Sequence, residues 1–287
     1  MRLVTYMDGA IERVGAVRDD MVVDLSDLVP DMLTLIASGP ALLSAAQQRV
    51  AAAQRGASLA QVRLLAPIPR PRQNIICLGM NYAAHAIESL RAKGLPEKLP
   101  EHPVFFTKSV TAVNHPGADI PMLSELSAKR DWEAELAFII GRPTRNVARE
   151  DAMRSVFGYT IFNDVSARDL QMQHQQFFFS KSLEGTAPMG PWIVTADEIP
   201  DPHALRIQMR LNGETMQDSS THDMIFDIPT VITTLSRGMP LGPGDIIATG
   251  TPEGVGMGRT PPVWLKAGDQ IEVEISRIGV LRNRMVA

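Results

Sequence analysis

Asp131-Trp-Glu-Ala-Glu-Leu-Ala-Phe-Ile-Ile-Gly141 reads as a buried strand that carries two acids, Glu133 and Glu135, two positions apart. Strand side chains alternate faces, so both carboxylates point one way, with Cα atoms roughly 6–7 Å apart. Trp132, Ala134, Leu136 and Phe138 point the other way. Two ionised acids on one buried face beside Ala137 and Ile139 repel, at a cost of several kcal/mol, unless something positive lies between them. A divalent cation supplies that charge at least cost. The stretch therefore predicts a buried strand with a metal beside it.

Outward from this strand, further strand-like runs cover 103–107, 156–163, 191–195, 205–211, 245–249 and 270–275, with helices expected only at 151–155, 166–173 and 228–237. This is an α+β pattern rich in strands, not an alternating βα one. Upstream, Asn74–Leu78 reads as a short strand and Asn81–Arg91 as a helix. The proline-punctuated stretch Gly94–Pro103 that follows reads as a lid or mobile loop. Residues 1–25 read as a meander of three strands, turning at Asp8-Gly9 and Asp19-Asp20, and the alanine- and leucine-rich segment Ala41–Gly56 reads as a helix. Pro67-Ile-Pro-Arg-Pro71 forbids helix, and we place a boundary there, between a small N-terminal α/β domain (1–66) and a catalytic domain (67–287).

With 28 basic and 32 acidic residues in 287 and no long run of like charge, nothing points to a nucleic-acid or membrane partner. The N-terminus lacks the apolar core of a signal peptide, and no stretch approaches the ~18 apolar residues of a membrane span, so a cytoplasmic protein is expected. The single cysteine, Cys77, excludes an internal disulfide and reads as a small buried apolar residue.

A third carboxylate, Asp164, ends the run Phe157–Asp164. Alone it reads better as a turn or helix cap. Beside the glutamate pair the metal reading takes over, because three carboxylates with water in the remaining positions suit Mg²⁺ or Mn²⁺. His85 and Glu88 fall at i and i+3 of a helix, a spacing common on ordinary helix surfaces. It also lets a glutamate orient an imidazole as a general base. Lys181 and Lys108 each read as a solvated residue or as a holder of a substrate carboxylate or enolate. Gly244–Gly256 is a strand entering a glycine-rich loop without a phosphate-loop or dinucleotide pattern. Its amides, Gly250 included, and the hydroxyls of Thr249 and Thr251 offer donors for a substrate carboxylate. No glycine-flanked serine nucleophile or Cys-His arrangement stands out, which argues against covalent catalysis.

Taken in order, five motifs resemble the fumarylacetoacetate hydrolase family over about residues 65–287. They are Gly79-Met-Asn-Tyr-Ala-Ala-His85 with Glu88, Trp132–Leu136, Asn163–Gln171, Lys181-Ser182 with Pro188–Pro191, and Ala248–Gly256. The resemblance implies a mixed β-roll of two large sheets with few helices, usually a homodimer. It implies Mg²⁺ or Mn²⁺ held by Glu133, Glu135 and Asp164, and a His85–Glu88 dyad on a segment that orders over the substrate. It also implies substrate contacts from Lys181 and Thr251, with Arg168 and Gln171 lining the pocket. The chain departs from the family where relatives often read Lys-Ser-Phe-Asp-Thr and it has Lys181-Ser-Leu-Glu-Gly-Thr186. That change puts local substrate contacts in question.

The activity expected on this basis is metal-dependent hydrolysis of a C–C bond in a 2,4-dioxo acid of the acylpyruvate or fumarylpyruvate type. The ion polarises the 2-oxo acid, His85 activates water, and Lys181 shares the enolate charge. The same core serves decarboxylation of oxaloacetate or a related 2-oxo dioic acid. It equally serves enol–keto isomerisation of the 2-hydroxyhepta-2,4-diene-1,7-dioate type, with a lyase acting on a ureido acid as a further alternative. A metal-dependent binding protein without catalysis is disfavoured by the intact dyad.

Overall fold

In the computed structural model, which describes every residue except Lys93, the acidic strand spans Ala134–Ile140 and all seven residues are buried. It lies inside a twelve-stranded sheet, antiparallel to Val156–Asn163 on one side and to Ile246–Ala248 on the other. Beyond Ile246–Ala248 come Ile75–Gly79 and then Val104–Lys108. Beyond Val156–Asn163 come Ala187–Thr195 and the N-terminal meander Arg2–Asp8, Ile11–Arg18 and Met21–Asp24. A second, five-stranded sheet is built from Glu214–Ser220, Arg206–Leu211, Gln270–Ile275, Gly279–Val286 and Asp119–Pro121.

The expected alternation of faces holds. Leu136, Phe138 and Ile140 pack with Ile207, Met209, Val273 and Leu281 of the second sheet. Ala137 and Ile139 join the opposite core, with Leu35, Ile36 and Ala46 from two N-terminal helices, Met32–Ala37 and Pro40–Ala52. Each leucine, isoleucine, valine, phenylalanine and methionine among these is worth about 1.5–3 kcal/mol when fully buried, so both faces of the strand are committed. A slip of one residue would put Glu133 and Glu135 into the sheet–sheet core, which fixes the register.

The N-terminal strands continue the large sheet and do not form one of their own. Leu3 pairs with Ile193 and Arg2 with Val194, and the Met1 ammonium donates to Thr195 Oγ1 at 2.6 Å. The proline stretch at 67–71 is tied to the first strand, Thr5 Oγ1 donating to the Pro67 carbonyl at 2.7 Å. Among the described residues there are few helices, all short, and none is long and apolar enough to cross a membrane.

Local departures have local causes. The expected helix 166–173 begins only at Arg168, because Ser166–Ala167 pair as strand with Arg130–Asp131. The long strands Glu214–Ser220 and Gly279–Val286 were not expected. In the first only Met216 and Gln217 are buried; in the second Leu281, Asn283 and Met285 alternate inward between charged residues.

Candidate active site

Antiparallel pairing brings the start of the acidic strand beside the end of its neighbour. Ala134 pairs with Asn163, and the next residue, Asp164, donates its amide to the Glu133 carbonyl at 2.9 Å. Glu133, Glu135 and Asp164 therefore share one buried spot, with ligand oxygens within 4.8 Å of one another. The parallel strands Ile246–Ala248 and Ile75–Gly79 deliver two loops to the same end of the sheet. One loop carries Thr249–Gly256. The other turns at Met80, in the left-handed conformation at φ 53°, and enters the helix Ala83–Ala92.

The three acids are not equivalent. Glu133 receives Arg168 Nη2 on Oε1 at 2.7 Å and Lys181 Nζ on Oε2. Burial alone would raise this carboxyl, but Lys181, Arg168 and His85 together hold it below its ordinary value. Asp164 receives Lys181 on Oδ2 at 2.7 Å and Lys108 on Oδ1 at 2.6 Å. Among the described residues Glu135 has only the Gly250 amide, 3.0 Å from Oε2. Burial and the charges of Asp164 and Glu133 push its carboxyl well above the ordinary range. Within this network Lys108, Arg168 and Lys181 form ion pairs with Asp131, Glu133 and Asp164, and among the described residues Glu135 has no basic partner. Part of the positive charge that the glutamate pair requires thus comes from the chain. The remainder, centred on Glu135, fits a hard divalent ion of the Mg²⁺ or Mn²⁺ kind held by Glu133, Glu135 and Asp164.

A cavity of about 60 Å³ opens on this cluster. His85, Gln171, Arg168, Lys181 and Thr251 reach it, as does Ser89, while Leu78, Met80, Phe106 and Phe177 supply apolar wall. His85 Nδ1 lies 3.3 Å from Glu88 Oε2, and the Glu88 carboxylate also accepts the Gly254 amide at 3.1 Å. That contact anchors the dyad to the same loop that carries Thr251. A Cβ at Gly258 would lie 2.1 Å from Glu88 Cδ, so glycine makes room for this acid. The Lys181 ammonium, raised by Asp164 and Glu133 although burial opposes them, sits 5.0 Å over the Phe106 ring.

Three residues expected to touch substrate face the protein. Lys108 stands behind Asp164 with no exposed surface, its ammonium also on the Val165 carbonyl at 3.0 Å, and burial lowers its pKa. Thr249 Oγ1 donates to the Leu136 carbonyl at 2.8 Å. The Gly250 amide is committed to Glu135, and its φ of 90° and contact with Asn81 admit no side chain. The departure at 183–185 lies outside the cavity, because Glu184 is exposed.

Two residues were not read from the sequence. Asp131, fully buried, accepts Arg168 Nε at 2.8 Å and the Gly256 and Met257 amides at 2.7 and 3.1 Å. It ties the arginine on Glu133 to the far loop. Ser89 lines the cavity one helical turn beyond His85. Their roles depend on tertiary neighbours, and the only local signal was the i, i+4 spacing of His85 and Ser89.

A family model described as fumarylacetoacetate (FAA) hydrolase C-terminal matches residues 74–286. The chain is 50% identical to oxaloacetate tautomerase YisK of Bacillus subtilis over 228 residues, 79% of this chain and 74% of that protein. It is 44% identical to oxaloacetate tautomerase fahd2 of Xenopus laevis over 231 residues, 80% and 70% of the two chains. Among solved structures, maleylpyruvate hydrolase from Sphingobium sp. SYK-6, in complex with manganese(II) and pyruvate, superposes with a TM-score of 0.81 at 33% identity. That match covers 100% of this chain and 99% of that one. The two-sheet fold and a carboxylate cluster suited to a divalent ion agree with these matches, and the chain belongs to the fumarylacetoacetate hydrolase family.

Proposed function

We propose that the protein is a divalent-metal-dependent enzyme that interconverts the enol and keto forms of a compact 2-oxo dicarboxylic acid of the oxaloacetate type. The observation that carries this reading is that His85, paired with Glu88, shares one cavity of about 60 Å³ with Glu133 and Glu135, whose carboxylates lie beside that of Asp164. The choice of tautomerisation over the hydrolysis favoured by the motifs rests on the 50% and 44% identical relatives, both named as oxaloacetate tautomerases.

When bound, a divalent ion supplies Lewis acidity to the 2-oxo acid. The protein's own groups then manage the proton. Glu88 accepts from His85 Nδ1, which leaves Nε2 as the basic nitrogen. His85 takes the proton of the substrate's enol hydroxyl and returns it to C3 as the double bond moves to the oxygen, so the net change is the position of one hydrogen and the imidazole ends neutral. The Lys181 ammonium shares the negative charge on the oxygen between these events. Leu78, Met80, Phe106 and Phe177 limit water near C3.

Hydrolysis of a 2,4-dioxo acid is the second reading, supported by the likeness to maleylpyruvate hydrolase over the whole chain. The Mg²⁺-loaded protein should be given enol-enriched oxaloacetate and, separately, acylpyruvates, with enol absorbance, carbon dioxide and diketone absorbance followed independently. Faster enol decay without carbon dioxide supports the proposal. Diketone loss with unaltered enol decay would replace it with hydrolysis, and carbon dioxide release with decarboxylation.

A further inference from the structure

Most polar side chains on the cavity wall are already engaged by the protein. His85 is held by Glu88, Glu133 by Arg168 and Lys181, and Glu135 by the Gly250 amide. Arg168 is bound to Asp131, Glu133 and Gln171 Oε1, and Thr251 Oγ1 accepts from Gln217 Nε2 at 2.9 Å. Ser89 is different. It is 5% exposed, lines the cavity, and its hydroxyl makes no hydrogen bond among the described residues. It lies at i+4 from His85 on the buried face of the helix Ala83–Ala92, so its Cβ is about 5–6 Å from that of His85. His85 lines the cavity together with Glu133 and Glu135. Ser89 lines the same cavity one helical turn on from His85.

A hydroxyl without a partner, walled by Leu78, Met80, Phe106 and Phe177, gains nothing from those neighbours and loses water when a ligand enters. We propose that Ser89 is a specificity residue that donates a hydrogen bond to the second carboxylate of the substrate, distinguishing 2-oxo dicarboxylic from 2-oxo monocarboxylic acids. This rests on the substrate class proposed above. A neutral hydroxyl reads the carboxylate without adding a fourth base to Lys108, Arg168 and Lys181, so the acid excess that fits the metal is kept.

The test is Ser89→Ala in the Mg²⁺-loaded protein, with Kd measured calorimetrically for oxaloacetate and for pyruvate, alongside KM and kcat. The wild type should bind oxaloacetate more tightly than pyruvate. The variant should lose about tenfold in Kd and KM for oxaloacetate, with kcat within about twofold and pyruvate affinity unchanged. Equal shifts for both ligands, no shift for either, or no wild-type preference for oxaloacetate would overturn the assignment. Wild-type binding of oxaloacetate without enol turnover would refute the tautomerase reading alone, leaving Ser89 to be judged by the two dissociation constants.

Discussion

Glu135 is the residue on which the electrostatics of the site turn. Its carboxyl is raised by burial, Asp164 and Glu133, so in the metal-free protein it keeps its proton above the ordinary glutamate range. A raised folded-state value means stability that is full below the unfolded value and is lost as pH climbs towards the folded one. The metal-free protein should therefore lose Tm as pH rises through that interval, and Glu135→Gln should flatten the loss. Mg²⁺ must displace the same proton, so its affinity should rise with pH over the same interval, as titration calorimetry at several pH values would show. Glu135→Gln should weaken Mg²⁺ binding by about a hundredfold or more, since even residues that only orient metal ligands are worth about 10–100-fold. Lys108 belongs to the same scale. Lys108→Met leaves Asp164 Oδ1 without its buried partner and should cost about 3–5 kcal/mol in denaturant unfolding. A purely substrate-binding lysine would show a raised KM with little loss of stability.

At the scale of elements, what the sequence revealed was what depends on near neighbours. The spacing of Glu133 and Glu135 and that of His85 and Glu88 are properties of one strand and one helix, and the structure brings both glutamates of the strand and His85, backed by Glu88, to the cavity. Lys108 and Thr249 sit on equally plausible segments. Which way each turns is decided by Asp164 and by the Leu136 carbonyl, 56 and 113 positions away. Asp131 was silent for the same reason, since its partners Gly256 and Met257 lie 125 and 126 positions on. The glycine loop gives a test at this scale. Gly258→Ala should push Glu88 off His85, because the added Cβ would lie 2.1 Å from Glu88 Cδ. Turnover should fall by about tenfold or more, while Mg²⁺ affinity stays within about twofold. Parallel losses of both would mean that the loop supports the whole site and not the dyad in particular.

Across the whole molecule, the acidic strand is where two cores meet. One of its faces packs against the second sheet and the other against the N-terminal helices and the site, so fold and chemistry share one register. The strand-rich class and the central strands were legible because alternation and β-branched runs are local signals. The continuity of the N-terminal meander with the large sheet was not, because it depends on Arg2–Asp8 pairing with Ala187–Thr195. The central claim is that this architecture places a cation at Glu133, Glu135 and Asp164 to favour an enolate next to His85. The most direct measurement is exchange of the C3 hydrogens of oxaloacetate in deuterated water, followed by NMR. Exchange should be fast with the Mg²⁺-loaded wild type and return to the background rate on chelation and in Glu135→Gln. Background exchange in the loaded wild type, or undiminished exchange in Glu135→Gln, would contradict the account.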